Sequence, residues 1–87
     1  MKVIFKTSFF RDVKKSPISF HSEVNSIIIK LESSHSLKEI QNLKKLKGHT
    51  TAYRIKINTY RFCFYFENES VIIARFLPRK DVYRSFP

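Results

Sequence analysis

Three runs of alternating apolar residues in the second half of the chain place the strongest constraint on its fold. The runs are Tyr53–Ile57, Tyr60–Phe66 and Val71–Phe76, and they are separated by Asn58-Thr59 and by a turn around Asn68. Alternation with a period of two residues places successive side chains on opposite faces of a β-strand. Short polar turns between such runs are typical of hairpins. The sequence therefore predicts a three-stranded antiparallel meander with one buried face.

The first half of the chain predicts one more strand and two helices. Residues 2–5 form a short apolar run, and a helix begins at Thr7 or Ser8 and ends before Pro17. Apolar residues at near-helical spacing then predict a second helix over residues 18–31. The segment that follows is a basic connector ending at Gly48, where we expect a positive φ. The order β-α-α-β-β-β over 87 residues predicts one α+β domain, residues 1–87, with two N-terminal helices packed on an antiparallel sheet.

A two-residue loop at Asn58-Thr59 fixes which residues face each other in the first hairpin. It pairs Lys56 with Arg61 and Arg54 with Cys63, and it places the three basic side chains on the face opposite the core. Like charges that face each other in a sheet cost roughly 0.2–1 kcal/mol per pair. A pattern that costs stability indicates a role in binding anions.

Further cations follow on the last strand and beyond it. With a three-residue turn over residues 67–69, Arg75 lies across from Arg61 on the same face, and this is the arrangement we expect. A two- or four-residue turn would direct Arg75 toward the core instead. Pro78 predicts a loop or one helical turn after the strand, and Arg79, Lys80 and Tyr83 then fold over the edge of the sheet.

Composition narrows the class of partner. The chain contains 17 Lys and Arg against 7 Asp and Glu, a formal charge of +10, which favours nucleic acid or an acidic protein. Cys63 is the only cysteine, and the three histidines show no ligand spacing, so we expect neither a metal nor another cofactor. The sequence shows neither a secretory signal nor an apolar stretch of membrane-spanning length. We therefore expect a cytoplasmic protein that does not enter membranes.

The segment "LKKLKGHTTAYRIKINTYRFCFYFENESVIIARFLPRKDVY" resembles the RelE/ParE superfamily of bacterial toxins from type II toxin–antitoxin modules. The matching elements, in order, are a Leu-x-Gly-like connector, Tyr-Arg-Ile-Lys, a turn, Tyr-Arg and a closing Arg-Lys-Asp-Val-Tyr. The β-α-α prefix and the total length also match, so the resemblance covers nearly the whole chain. It implies a bacterial cytoplasmic toxin, held in a hetero-oligomer by a cognate acidic antitoxin.

The RelE branch, as the resemblance implies, cleaves messenger RNA in the ribosomal A site without a metal, by attack of a 2′-hydroxyl on the adjacent phosphate. Its partners would then be mRNA and the ribosome. The catalytic positions carried over are Lys56 as general base, Arg61 and Arg79 on the phosphate oxygens, and Tyr83 stacked on a base. The expected contacts to RNA and its phosphates are Arg54, Arg75, Lys80, Lys44, Lys45 and Lys47.

One departure from the family pattern and two rival functions stay open. Many relatives carry His or Lys immediately before the position of Arg79, whereas this chain has Leu77-Pro78. The leaving group must then receive its proton from Arg79, Lys80 or a water, or activity is low. The alternatives are a ParE-like poison of DNA gyrase on the same fold, and a nucleic-acid-binding module that has lost catalysis. The basic and tyrosine positions favour the ribonuclease.

Overall fold

A five-stranded sheet with strand order β1-β5-β4-β3-β2 forms the centre of the computed structural model, which describes all 87 residues. Helices lie on this sheet, so the predicted α+β class is confirmed. The elements are β1 (Lys2–Phe5), α1 (Thr7–Lys15), α2 (His21–Ser33), β2 (Leu43–Lys45), β3 (Ala52–Ile57), β4 (Tyr60–Glu67), β5 (Ser70–Pro78) and α3 (Val82–Ser85). Short 3-10 turns occupy Ile18–Phe20, Leu37–Glu39 and Arg79–Asp81.

Two strands differ from the prediction. β1 pairs in parallel with β5, from Lys2 opposite Ser70 to Phe5 opposite Ile73, so the sheet is mixed rather than antiparallel throughout. The predicted basic connector contains β2, which pairs antiparallel with β3 and forms the edge of the sheet. β2 is only three residues long, too short for an alternating pattern to reveal it.

The first hairpin has the predicted register. Lys56 faces Arg61 and Arg54 faces Cys63 across β3 and β4. Asn58 supplies the only positive φ of this turn, at 53°, so Thr59 needs no left-handed backbone. The guanidinium of Arg61 donates from Nη1 to the carbonyl oxygens of Asn58 and Tyr60, each at 2.9 Å, and so holds the turn from within the sheet.

The second hairpin corrects the expectation for Arg75. Its turn is the two-residue pair Asn68-Glu69, with φ of 50° and 60°, and not a three-residue turn. A register shift opposite Cys63 and Phe64 leaves Ala74 as an extra residue in β5, which is a β-bulge. Arg75 consequently pairs with Cys63, which keeps it on the predicted face of the sheet, and the residue across from Arg61 is Leu77.

Apolar clusters cover both faces of the sheet. The larger cluster joins α1 and α2 to the sheet through Phe9, Val24, Leu31, Ile55, Ile57, Phe62, Phe64, Val71, Ile73 and Phe76. The smaller cluster, on the other face, is Leu46, Ala52, Cys63, Ala74, Leu77, Val82 and Phe86. Val82 and Phe86 are buried there and fasten the C-terminal segment beside the basic face of β3 and β4. None of the helices is long and apolar enough to span a bilayer.

Candidate functional site

An open pocket of about 440 Å³ lies over the basic face of β3 and β4. Its lining contains no carboxylate. We call it the cationic pocket, and its residues are Asn42, Leu43, Lys44, Arg54, Lys56, Arg61 and Arg79. The fold thus brings together five of the basic side chains that the sequence singled out, from β2, β3, β4 and the turn after β5.

Arg61 is the buried member of this pocket, with only 6% of its surface exposed. Its Nε is buried and has no hydrogen-bond partner. Burial lowers the pKa of Arg61, and the nearby charges of Arg54 and Arg79 lower it further. The two ion pairs of the chain, Arg75–Asp12 and Arg84–Asp81, include none of the pocket's cations. The pocket therefore holds uncompensated positive charge beside a buried donor, which is a suitable environment for an anion.

β2 and the residue before it bring two residues into the site: Lys44, which the sequence singled out, and Asn42, which it did not. Lys44 lies directly across from Arg54, which gives a second pair of facing like charges beside that of Lys56 and Arg61. Asn42 precedes β2 with a φ of 61°, and its carbonyl oxygen accepts a hydrogen bond from the backbone N–H of Lys56 at 3.3 Å. Asparagine tolerates a left-handed backbone better than most residues. This preference is the feature of the sequence that could have indicated a turn at Asn42.

Tyr83 borders the cationic pocket on its C-terminal side. It lines a second shallow pocket of about 510 Å³ together with Thr59, Pro78, Arg79 and Lys80. Its side chain is 83% exposed, and a narrow cleft connects it to Arg54, Arg61 and Arg79. The backbone N–H of Arg79 donates to the carbonyl oxygen of Thr59 at 2.8 Å, which fixes the C-terminal segment to the first hairpin. A free aromatic face thus lies beside concentrated positive charge.

Four of the predicted RNA contacts lie outside the cationic pocket, and one of them, Lys80, lines the shallow pocket beside Tyr83. Arg75 forms an ion pair with Asp12 of α1, with 2.6 Å between Nε and Oδ2. The hydrogen bond that Asp12 accepts from Arg75 and the negative charge of Asp12 raise the pKa of Arg75. Lys45 pairs with Tyr53, so it points to the face opposite that of Lys44. Lys47 is exposed in the connection between β2 and β3 and does not line the pocket.

Neither the cysteine nor the histidines form a second reactive site. Cys63 is fully buried, and burial raises the pKa of its thiol to about 12. His21 places Nε2 at 3.1 Å from Oγ of Ser16 and at 3.0 Å from the carbonyl oxygen of Val13, at the end of α1. No group of three or more His, Cys, Asp or Glu side chains is arranged to hold a metal ion.

Comparisons with known proteins give a full-length relative and similar folds. The chain is 34% identical over 88 residues to toxin RelE3 of Methanocaldococcus jannaschii, and the match spans both chains completely. The RelB–RelE antitoxin–toxin complex from Methanococcus jannaschii contains a chain with a TM-score of 0.82 and 30% identity, over 97% of this chain and 99% of that one. A mutant of YafQ from E. coli has a TM-score of 0.75 at 9% identity, over 94% and 97% of the two chains, which shows the fold alone. No protein-family model matches the chain.

Proposed function

Because the chain belongs to the RelE family of toxins from toxin–antitoxin modules, we propose that it arrests translation as a ribosome-dependent endoribonuclease. The observation that carries the proposal is the cationic pocket, where three arginines and two lysines meet without a carboxylate. Cleavage of RNA through its own 2′-hydroxyl passes through a crowded phosphorane with extra negative charge. Positive groups already fixed around that charge stabilise the transition state without reorganising.

The reaction consists of one bond formed and one bond broken at phosphorus. The 2′-oxygen attacks the adjacent phosphate, the bond from phosphorus to the 5′-oxygen breaks, and the products are a 2′,3′-cyclic phosphate and a 5′-hydroxyl. Lys56, exposed in the cationic pocket, accepts the proton of the 2′-hydroxyl as general base when its amine is neutral. Lys80, Arg79 or a water returns a proton to the 5′-oxygen, because Leu77-Pro78 offers none.

The arginines bind the scissile phosphate from different elements. Arg61 projects from β4 and lines the cationic pocket, where its fixed guanidinium charge attracts a non-bridging oxygen. Arg79 follows β5 and is exposed, so its planar guanidinium can donate two parallel hydrogen bonds to the same phosphate. Arg54, on β3, lines the same pocket and contributes charge. Tyr83 stacks on the base next to the cleaved bond.

We also propose that a cognate antitoxin neutralises this site. The chain carries a formal charge of +10 and the cationic pocket is open, so an acidic amphipathic segment laid over the pocket would offset the repulsion among the arginines. The 30% identical chain from Methanococcus jannaschii is found in a complex of this kind. Copurification of the toxin with a small acidic protein encoded next to it would test this partner.

The experiment for the ribonuclease uses purified protein, programmed ribosomes and a defined mRNA, with cleavage mapped by primer extension. We expect cuts in the A-site codon, and Arg79→Ala should lower the cleavage rate about 100-fold, the size of effect seen when one preorganised donor is removed. Arg11→Ala is the matched control, since it removes an exposed arginine of α1 outside the pocket. Intact mRNA with wild-type protein would refute the proposal. Blocked DNA supercoiling in a parallel gyrase assay would then favour the ParE-like alternative.

A further inference from the structure

A third pocket, of about 400 Å³, lies at the β2 edge of the sheet and adjoins the cationic pocket. We call it the edge pocket. Ile27 of α2, Ile40 and Ile55 provide its apolar residues, and its polar residues include Gln41, Asn42 and Lys56. Asn42 and Lys56 line both pockets and are joined by a backbone hydrogen bond of 3.3 Å. A ligand held by a phosphate in one pocket can therefore extend into the other.

The charges of the edge pocket differ from those of its neighbour. Glu23 of α2 and Glu39 line it and are balanced by Lys30 and Lys56, whereas the cationic pocket has no carboxylate. The hydrogen bonds that Glu39 accepts from the backbone N–H groups of His35 and Ser36, at 2.7 and 3.3 Å, use Oε2, so Oε1 can still accept. Carboxylates repel a phosphate but accept hydrogen bonds from amino groups. The edge pocket is therefore suited to an uncharged group with N–H donors.

Two amide side chains add the capacity for specific recognition. Gln41 and Asn42 are consecutive and exposed, and each amide carries both donors and an acceptor. Asn42 is kept at a φ of 61°, an uncommon backbone for a residue other than glycine. Amides pair with the edge of adenine, and carboxylates accept from the amino group of cytosine. Apolar residues behind such groups suit the flat face of a base.

We propose that the edge pocket binds the base of a nucleotide that flanks the scissile phosphate, and that it selects adenine or cytosine over uracil. The base would lie on the opposite side of the phosphate from Tyr83, so the RNA would be held by a base on each side of the cut. This inference rests on the proposed function only in requiring RNA in the cationic pocket. It makes Gln41 and Asn42 the specificity-determining residues.

The test measures binding of five-residue 2′-O-methyl oligonucleotides of adenine, cytosine or uracil, which cannot be cleaved because the attacking hydroxyl is blocked. The double variant Gln41→Ala, Asn42→Gly removes both amides, and glycine preserves the left-handed backbone at position 42. We expect it to weaken binding of the adenine and cytosine oligonucleotides at least about fivefold and to leave the uracil oligonucleotide nearly unchanged. Asn25→Ala, which removes an exposed amide of α2 outside the pocket, should change none of the three affinities.

Methyl NMR of Ile40 provides a second readout, since the adenine oligonucleotide should shift this signal in the wild type and not in the double variant. An equal loss of affinity for all three oligonucleotides, or no loss, would overturn the inference.

The ribosomal cleavage assay distinguishes failure of this inference from failure of the proposed function. If the wild type cleaves mRNA and the double variant still prefers adenine and cytosine over uracil, only the inference about the edge pocket is wrong. If the preference is lost but the wild type never cleaves mRNA, only the proposed function is wrong. Absence of any oligonucleotide binding overturns both.

Discussion

Arg61 illustrates how one side chain can serve the fold and the site together. Its Nη1 holds two carbonyl groups of the first hairpin turn, at 2.9 Å each, while its buried Nε has no partner within the chain. The contact with the turn fixes the guanidinium before any ligand arrives, which is the preorganisation that phosphoryl chemistry requires. Replacing Arg61 would therefore disturb the turn as well as the pocket. Arg79, which is exposed, is the better position for a test of function.

The alternating pattern placed Arg61 on the basic face, but it did not show that Arg61 would be buried. Val82 of the C-terminal segment packs over the same face of the sheet and lines a narrow cleft together with Arg61. Periodicity describes the direction of a side chain relative to its own strand. It contains no information about which distant segment covers it.

Cys63 lies close to Arg54, Arg61 and Arg75, and we predict that its thiol reacts slowly in the folded protein. Burial raises the pKa of its thiol from 9.0 to about 12, so the thiolate is scarce in the folded protein at pH 9. We expect alkylation by iodoacetamide at pH 9 to be at least about tenfold slower in the native protein than in the protein unfolded by urea. Mass spectrometry over time measures the difference. Equal rates in the two states would show that the thiol is accessible.

At the scale of secondary-structure elements, the sequence predicted best where a short turn fixes the pairing. The loop Asn58-Thr59 determined the register of β3 and β4, and that register is confirmed. The predicted partner of Arg75 was wrong for two reasons: the turn has two residues instead of three, and the bulge at Ala74 adds one residue to β5. An extra residue leaves no mark in an apolar run such as "VIIA". The parallel pairing of β1 depends on contacts between distant segments, which local patterns do not describe.

The link between α1 and β5 leads to a prediction about stability. Asp12 is 8% exposed and accepts hydrogen bonds from Arg75 and from the backbone N–H of Phe76, at 3.0 Å for the latter. We expect Asp12→Ala to lower the free energy of unfolding by about 2–3 kcal/mol, since it leaves a buried N–H and a half-buried arginine unpaired. Asp81→Ala, which breaks the more exposed pair with Arg84, should cost less than about 1 kcal/mol. Urea unfolding compares the two, and equal losses would contradict the importance given to Asp12.

The turn between β4 and β5 offers a stabilising substitution. Glu69 has a φ of 60°, which a side chain with a Cβ adopts only at a cost of about 1–2 kcal/mol. Glycine has no such cost, and Asn-Gly is the preferred pair for this kind of turn. We expect Glu69→Gly to raise the free energy of unfolding by about 0.5–1 kcal/mol, measured by urea unfolding. Glu67→Gly should instead destabilise, because position 67 lies in β4 and glycine weakens strands.

At the scale of the whole molecule, positive charge is concentrated where the fold can use it. The acids that pair with arginine, Asp12 and Asp81, do so outside the cationic pocket. The sequence predicted most of this arrangement, since Arg54, Lys56, Arg61 and Arg79 were identified and the fold brings them together. It did not predict the edge pocket, which exists because β2 and the segment before it approach α2.

This distribution of charge predicts how strongly salt should weaken RNA binding. Four cations around one strand of RNA, Arg54, Lys56, Arg61 and Arg79, would release counterions with a slope of log K against log salt of about −3. The affinity for an uncleavable 2′-O-methyl oligonucleotide should then fall about 50-fold between 50 and 200 mM salt. Arg79→Ala should reduce the steepness of the slope by about 0.7, whereas Arg11→Ala should leave it nearly unchanged, because only contacted cations contribute. Fluorescence anisotropy across a salt series measures both slopes. The same slope for the two variants would mean that RNA senses the overall charge of the protein and not the cationic pocket.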